Sequence, residues 1–263
     1  MSKCGSWRRA VLVIGTCAAL AACGTTDTLS SANDPNRLYA EAKSELDNGS
    51  YDRAIKGFER VEAAASGTLL GQQALLELAY AQWKSGERTT ALASVDRFLR
   101  LHPSSPAYDY ALYLRGLINF NDNLGLLGSF AGQRLAERDQ RASREAHQSF
   151  RQLVEQFPQS RYAADARLRM DYIVNTLAEH EVSVARYYFR RGAYLAAANR
   201  AKQAITEYAQ VPVAADALVV MVLSYDRLGL TQLRDDAQRV LARNFPDRQP
   251  TLDRPARAWW KLW

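Results

Sequence analysis

The chain has 263 residues and a formal net charge of +6, from 34 Lys and Arg residues against 28 Asp and Glu residues. Three of the positive charges, Lys3, Arg8 and Arg9, lie in the first 22 residues, and the remaining excess of +3 is too mild to indicate a nucleic-acid-binding protein, whose affinity for phosphates depends on concentrated positive charge. The length is ample for a sizeable apolar core in one or two domains.

The first 23 residues have the organisation of a bacterial secretion signal. Lys3, Arg8 and Arg9 precede an apolar run from Ala10 to Leu20, which in a helix reaches only about half of the hydrocarbon thickness of a bilayer. The following Leu-Ala-Ala-Cys, ending at Cys23, resembles the bacterial lipobox. The resemblance implies that residues 1–22 are removed and that Cys23 carries an S-diacylglycerol and an N-acyl chain such as palmitate. The alternative is an ordinary secretory signal with a chance cysteine near its end.

Cleavage before Cys23 would also set the redox chemistry and the location of the mature chain. It removes Cys4 and Cys17, so we expect no disulfide and no thiolate metal site. It lowers the formal charge from +6 to +3. Gly24, and not Asp, follows the lipobox. In the lipoproteins that this motif resembles, the lack of Asp at this position implies export to the outer membrane, facing the periplasm. Residues 24–35 are small and polar and are predicted to form a flexible spacer.

From Asn36 to about Pro246 the chain repeats itself. Each unit is predicted to be a helix, a turn around a glycine with positive φ, and a second helix that ends before a proline. Small residues would let the two helices approach closely, and bulky residues would fill the space to the next unit. We therefore predict an all-α fold, a tetratricopeptide-like helical solenoid of about five helix-turn-helix repeats with an insertion in the third. The recurring positions are Ala42, Leu46, Gly49, Ala54 and Phe58, then Ala79, Trp83, Gly86, Ala91 and Val95, then Ala185, Phe189, Gly192, Ala197 and Ala201.

Two surpluses interrupt the repeat. Residues 123–140 exceed the repeat length and are predicted to be a loop with a short helix, whereas the stretch between Ser160 and His180 is predicted to be one long helix. The predicted organisation is a signal peptide at 1–22, a lipidated N-terminus and spacer at 23–35, repeats one to three at 36–158, repeats four and five at 159–246, and a basic Trp-rich tail at 247–263.

A lipobox, a short polar spacer and five repeats with an insertion in the third together make the chain resemble the BamD family, the lipoprotein subunits of the β-barrel assembly machinery. Two stretches strengthen the resemblance. The more specific one is SVARYYFRRGAYLAAANRAKQAI, which begins at Ser183, and the other is YLRGLINF from Tyr113 to Phe120, just before the insertion. The resemblance covers the whole mature chain except its C-terminal end. From Asp247 onward, DRQPTLDRPARAWWKLW departs from the family pattern, so no family role is transferred to it.

The resemblance implies a lipid-anchored, periplasm-facing subunit of an outer-membrane complex that folds and inserts β-barrel proteins. Its partners would be the central POTRA-containing barrel subunit, accessory lipoproteins of the same complex and unfolded β-barrel precursors, with no nucleic acid among them. The N-terminal repeats would receive the targeting segment of a precursor, and the C-terminal repeats would dock the central subunit. The alternative is another outer-membrane repeat lipoprotein that acts as a scaffold, such as a pilus-assembly pilotin or a cell-wall or division coordinator.

The first helices of the repeats place aromatic and basic side chains on one face. Tyr and Leu side chains there would pack an aromatic residue of an extended peptide, and a lysine would pair with its carboxylate. The alternative is that the tyrosines only pack neighbouring helices. The candidates for this substrate-peptide groove are Tyr39, Lys43, Leu76, Tyr80, Lys84, Tyr113, Leu117 and Asn121.

Four arginines lie in or beside the most specific stretch and are candidates for a partner-subunit contact: Arg186, Arg190, Arg191 and Arg200. Arginine is favoured at interfaces because its planar guanidinium pairs with carboxylates. The alternative is a solvated helix face. The family resemblance associates Arg200 with the POTRA contact.

The C-terminal tail combines tryptophans with cations. This combination suits a membrane interface or a protein groove. The alternative is a tail that folds back over the last apolar face of the repeats. The residues concerned are Trp259, Trp260 and Trp263 beside Arg254, Arg257 and Lys261.

Catalytic and metal-binding patterns are missing from the sequence. His102, His147 and His180 do not have the spacing of metal ligands on one helix. No Ser-His-Asp order, Gly-rich phosphate loop or C-x-x-C is visible. A peptidoglycan-cleaving enzyme would need a catalytic lobe for which the repeats leave no room. We expect no catalytic residue, no metal ligand and no cofactor.

Overall fold

The structure is a computed structural model that describes residues 34–120, 140–208 and 210–252. Within these residues it contains ten α-helices and no strand, which confirms the all-α prediction. The predicted insertion lies outside the described residues except for its last residue. The helices are α1 Pro35–Asp47, α2 Tyr51–Ala64, α3 Leu69–Lys84, α4 Arg88–Leu101, α5 Tyr108–Asn119, α6 Gln140–Gln156, α7 Ala163–Arg190, α8 Tyr194–Glu207, α9 Ala214–Arg227 and α10 Thr231–Asn244.

The chain divides into two compact units, residues 1–111 and residues 112–263. In the first unit α1 packs against α2, α2 against α3 and α3 against α4, and α1 also contacts α3. In the second unit α6 packs against α7, α7 against α8, α8 against α9 and α9 against α10, and α7 also contacts α9. This pairing of each helix with its successor is the packing expected of stacked helix-turn-helix units. The repeat boundary predicted at residue 158 stays a prediction.

The turns within helix pairs use glycine as the repeat predicted. Gly49 between α1 and α2 has a φ of 74°, and Gly86 between α3 and α4 has a φ of 93°. Gly192 and Gly229 occupy the corresponding turns of the second unit, also at positive φ. At positive φ the Cβ atom of any other residue would crowd its own backbone, so glycine ends the first helix without strain.

Prolines mark the ends of second helices. The helices α4, α6 and α10 end two residues before Pro103, Pro158 and Pro246. A proline disfavours the helical conformation of the residue that precedes it, so each helix stops there. At the other end of the described chain, Asp34 caps α1 by accepting a hydrogen bond from the backbone N–H of Asn36, and Pro35 occupies the first helical position.

The core consists of the small and bulky residues that recur in the sequence. Ala54, Phe58, Ala91 and Val95 are fully buried in the first unit. The corresponding alanines of the second unit are buried equally well: Ala185, Ala197 and Ala201. Trp83 and Phe189, at the bulky position of their repeats, are only half-buried.

Close helix contacts depend on two glycines in helix interiors. A Cβ atom on Gly57 would lie 2.6 Å from the Cβ of Ala42, so α1 and α2 touch at this point. A Cβ atom on Gly116 of α5 would lie 2.3 Å from the ring of Phe150 on α6. Glycine is therefore required at both positions by the packing of the neighbouring helix and not by backbone conformation.

The predicted long helix is confirmed as α7, which has 28 residues. At about 1.5 Å per residue it spans about 42 Å. Beyond α10, the last described residue, Leu252, packs against the apolar cluster of Leu218, Val219 and Leu241. The chain after α10 therefore returns to α9.

Candidate functional site

An open depression of about 420 Å³ lies on the first unit and is called here the tyrosine pocket. Residues from α1, α2, α3 and the first turn of α5 surround it. Three tyrosines, one lysine and two carboxylates give it a mixed aromatic and ionic lining. The lining residues are Lys43, Leu46, Asp47, Tyr51, Glu77, Tyr80 and Tyr110.

Lys43 is engaged by carboxylates inside the tyrosine pocket. Its Nζ lies 3.3 Å from Oε1 of Glu77 and 3.8 Å from Oδ1 of Asp47. Because the pocket holds one cation and two carboxylates, a ligand carboxylate placed beside Lys43 would also meet two like charges. Lys43 therefore ties α1 to α3, and it is a poor receptor for a peptide carboxylate.

Tyr39 and Leu76 serve the packing of the first unit. The ring of Tyr39 meets Phe58 edge-on at 5.7 Å between centroids, and its hydroxyl accepts a hydrogen bond of 2.6 Å from Gln73. Burial, followed by the Glu77 carboxylate, raises the pKa of Tyr39 to about 12. Leu76 is 4% exposed. Neither residue lines the tyrosine pocket.

Lys84 is the last residue of α3 and lies beside Tyr80, which lines the tyrosine pocket. Its Nζ is 5.8 Å from the ring centroid of Tyr80 and 5.4 Å from that of Trp83. The two rings themselves meet edge-on at 5.8 Å. The aromatic faces hold this exposed ammonium through their quadrupoles without neutralising its charge. A cation therefore lies beside one of the pocket tyrosines.

The remaining groove candidates that the structure describes belong to the second unit. The hydroxyl of Tyr113 donates a hydrogen bond of 2.6 Å to Oδ2 of Asp165, and its ring stacks on Tyr162 at 4.8 Å. Nε of Arg169 donates to the same carboxylate oxygen at 2.5 Å. Leu117 is half-buried. Asn121 lies outside the described residues.

This hydrogen-bonded group shifts the pKa values of its members. Burial raises the pKa of Tyr113, and its hydrogen bond to Asp165 raises it further. Burial alone would raise the pKa of Asp165, but hydrogen bonds from Arg169 and Tyr113 outweigh burial and lower it. The pKa of Arg169 is raised, since its pairing with Asp165 overcomes the effect of burial. The group fastens α5 to α7.

The four candidate arginines differ in how far they are engaged within the chain. Arg200 donates a hydrogen bond of 2.8 Å to Oε2 of Glu181, whose side chain is 3% exposed. Arg186 lies 2.9 Å from Oδ2 of Asp216. Arg190 is exposed in the last turn of α7, and Arg191 lies 5.4 Å from the ring centroid of Tyr187.

Five residues that line the pocket were not among the candidates from the sequence: Leu46, Asp47, Tyr51, Glu77 and Tyr110. Tyr110 lies one helical turn before Tyr113 on α5, so an i, i+3 comparison would have found it. Glu77 follows Leu76 directly and points into the pocket instead of the leucine. Tyr51 begins α2, and its contribution follows from the tight turn after α1, which stepping along first helices alone does not reveal.

Within the described ranges no group of three or more His, Cys, Asp or Glu side chains is arranged to hold a metal ion. None of the described helices combines the length and the apolar character needed to cross a bilayer. The predicted lipid-bearing residue, Cys23, lies outside the described residues.

Comparison with known proteins gives concordant matches. The YfiO family model, described as an outer membrane lipoprotein, matches residues 31–240. Outer membrane protein assembly factor BamD of Neisseria meningitidis serogroup B is 42% identical over 266 residues, covering 97% of this chain and 99% of that protein. BamD of Haemophilus influenzae is 34% identical over 220 residues, covering 84% of each chain. Among solved structures, MamA shares 18% identity over 76% of this chain and 90% of its own, with a TM-score of 0.37, too loose a likeness to carry an argument.

Proposed function

Because the chain belongs to the YfiO, or BamD, family of outer membrane lipoproteins, we propose that it is the periplasm-facing adaptor of an outer-membrane protein assembly complex. In this role it holds the end of an incoming β-barrel precursor on its first unit and a partner subunit on its second. Its relatives are named outer membrane protein assembly factors, and the proposed role needs no catalytic step. The lipid on Cys23 keeps it at the membrane surface.

The observation that carries the substrate part of the proposal is the tyrosine pocket with Lys84 beside Tyr80, one of its lining residues. Tyr51, Tyr80 and Tyr110 offer aromatic surface to one aromatic side chain of an extended peptide. Asp47 and Glu77 offer acceptors to the peptide N–H groups or to a basic side chain. A carboxylate of the peptide pairs with Lys84, whose contacts with the rings of Tyr80 and Trp83 leave its charge in place.

The partner part of the proposal assigns different work to the four arginines. Arg190 and Arg191 are exposed beside the turn between α7 and α8 and can pair with carboxylates of a partner subunit. Arg186 and Arg200 already pair with Asp216 and Glu181, so they shape the surface from which the other two project. Their contribution to partner binding is therefore expected to be indirect in part.

Peptide binding tests the substrate assignment. The probe is a labelled ten-residue peptide with alternating apolar residues and a C-terminal phenylalanine, and its affinity for the full lipidated chain in detergent is measured by fluorescence anisotropy. Tyr80→Ala should weaken binding about 3- to 10-fold, the loss expected for one aromatic contact. Lys56→Ala, at an exposed position of α2 outside the pocket, is the matched control and should leave the affinity unchanged. Equal affinities for all three proteins would contradict the assignment.

Gentle purification tests membership of the complex. The lipidated chain, tagged and extracted from its own membranes, should recover a POTRA-bearing barrel protein and smaller lipoproteins. The combined variant Arg190→Ala, Arg191→Ala should recover less of the barrel protein, with the fold intact by circular dichroism. Recovery of cell-wall or pilus components in place of a barrel protein would support the scaffold alternative.

A further inference from the structure

An apolar groove crosses the second unit between α8, α9 and α10 and is called here the C-terminal groove. Its volume is about 400 Å³, within the range of clefts that enclose small ligands. Leu233 and Val240 lie two turns apart on the face of α10 that lines the groove, and each is 46% exposed. The groove is lined chiefly by Ile205, Leu218, Met221, Leu233 and Val240, with Asp236 at its edge.

The described chain ends beside this groove. Leu252 packs against the cluster of Leu218, Val219 and Leu241, and Leu218 is also a lining residue of the groove. Leu252 contacts a second cluster as well, that of α7, α8 and α9. The segment that follows therefore starts within reach of the apolar walls.

That segment, residues 253–263, is rich in apolar and cationic side chains, which complement the apolar walls of the groove and the carboxylate of Asp236. It holds three tryptophans and one leucine among eleven residues, together with three cations. An extended chain advances about 3.3–3.6 Å per residue, so Trp259 can lie roughly 25 Å from Leu252. The groove runs along α9 from Leu218 to Tyr225, which is about 10 Å, so the segment can reach all of it.

We propose that residues 253–263 occupy the C-terminal groove of their own chain. An indole ring inserts among Met221, Leu233 and Val240, because tryptophan has the largest apolar surface of the side chains in this segment. A cation of the segment pairs with Asp236 at the edge. Asp236 is 51% exposed and its present partner Arg239 is 75% exposed, and such a surface pair is weak enough to yield to a tethered competitor. The segment thereby caps the last helix pair. This inference does not depend on the proposed function.

Disulfide trapping in the intact, membrane-anchored protein tests the proposal. Because Cys4 and Cys17 leave with the signal and Cys23 carries lipid, an introduced pair supplies the two reactive thiols. The test pair is Leu233→Cys with Trp260→Cys. The control pair is Leu195→Cys with Trp260→Cys, since Leu195 is a 59% exposed leucine of α8 that does not line the groove. The test pair should oxidise at least about tenfold faster than the control and migrate at the mass of a single chain on a non-reducing gel.

Each other outcome overturns the proposal. Equal oxidation rates mean that the segment has no preference for the groove. A product at twice the mass assigns the groove to a second copy, and a product with another protein assigns it to a partner. If the cysteine variants do not accumulate, amide hydrogen exchange replaces them. Exchange in α9 and α10 should be several-fold faster in Trp259→Ser, Trp260→Ser, Trp263→Ser than in the unchanged chain, and unchanged exchange overturns the proposal.

Discussion

Nζ of Lys43 lies 3.3 Å from Oε1 of Glu77, which is 34 residues further along the chain. Tyr39 and Gln73, which are also 34 residues apart, form a second hydrogen bond between the same two helices. These contacts join the first helix of one repeat to the first helix of the next. The side chain that the sequence offers as a ligand contact therefore works as a tie within the array.

The two candidate lysines of the first unit should behave differently on substitution. Lys43→Met should lower the free energy of unfolding by about 0.5–1 kcal/mol, since a part-exposed ion pair is lost. It should change peptide affinity little. Lys84→Met should leave stability within about 0.5 kcal/mol and weaken peptide binding several-fold. Urea unfolding and anisotropy on both variants check the contrast, and a carboxamide version of the peptide should no longer distinguish Lys84→Met from the unchanged protein.

Gly116→Ala should destabilise the second unit although alanine favours helices. The new Cβ would lie 2.3 Å from the ring of Phe150, which is fully buried in the core. Overpacking of this kind costs about 1–3 kcal/mol, more than the roughly 0.5–1 kcal/mol that helix propensity returns. The double variant Gly116→Ala, Phe150→Leu should recover part of the loss relative to Phe150→Leu alone. Thermal unfolding without such coupling would show that α5 and α6 can separate.

Arg200→Ala should destabilise the chain by about 2 kcal/mol, because it leaves a buried carboxylate on Glu181 without its cation. Arg190→Ala should change stability by less than about 0.5 kcal/mol, as expected of an exposed side chain. Adding Glu181→Gln to Arg200→Ala should restore part of the stability. If partner recovery falls in Arg200→Ala but returns in the double variant, the arginine acts through the fold and not by direct contact.

Acid should weaken the contact of Asp165 with Arg169 and Tyr113. The pKa of Asp165 is lowered by folding, so its contribution to stability is fully present above its unfolded value, about 3.9, and is lost as the pH falls through the folded pKa. The difference in free energy of unfolding between the unchanged protein and Asp165→Asn should be constant from about pH 5 to pH 7. It should shrink below about pH 4. A difference that does not vary with pH would show that the carboxylate charge contributes nothing.

Cys23→Ala should release the chain from membranes if the lipid is its anchor. The variant is expected in the soluble periplasmic fraction after osmotic shock, whereas Cys17→Ala should stay with the outer membrane. Three acyl chains hold a protein far more firmly than the single chain that binds only marginally. Partner binding can keep part of the variant on membranes, so the fractionation is repeated after a high-salt wash, and sedimentation that survives the wash would contradict the lipid anchor.

The fold could be predicted from the sequence because each position of the repeat requires one type of residue for a physical reason. Alanine recurs where helices touch, glycine recurs where φ is positive, and proline follows where a second helix must end. Residues such as Ala54 and Ala91, 37 residues apart, are both fully buried. The half-buried Trp83 and Phe189 show where the pattern is looser, since a bulky position at the end of a first helix lies near solvent.

The site was harder to predict from the sequence, because helix periodicity shows on which face of a helix a residue lies but not which residue it contacts. Lys43 and Lys84 occupy related positions on first helices. Only the structure shows that Glu77 engages the first and that aromatic rings hold the second. Similarly, the sequence around Arg200 does not predict its pairing with the buried Glu181. The two residues come together only across the turn between α7 and α8.

The length of α7 restricts which sequence changes this protein can accept. Asp165 in its first turn holds Tyr113 of α5, and Glu181 near its other end holds Arg200 of α8. An added or deleted residue between them would rotate one set of side chains by about 100° relative to the other. One of the two attachments would then face the wrong way. Substitutions in the middle of α7 should therefore be tolerated more easily than insertions or deletions between Asp165 and Glu181, which would break one of the two attachments.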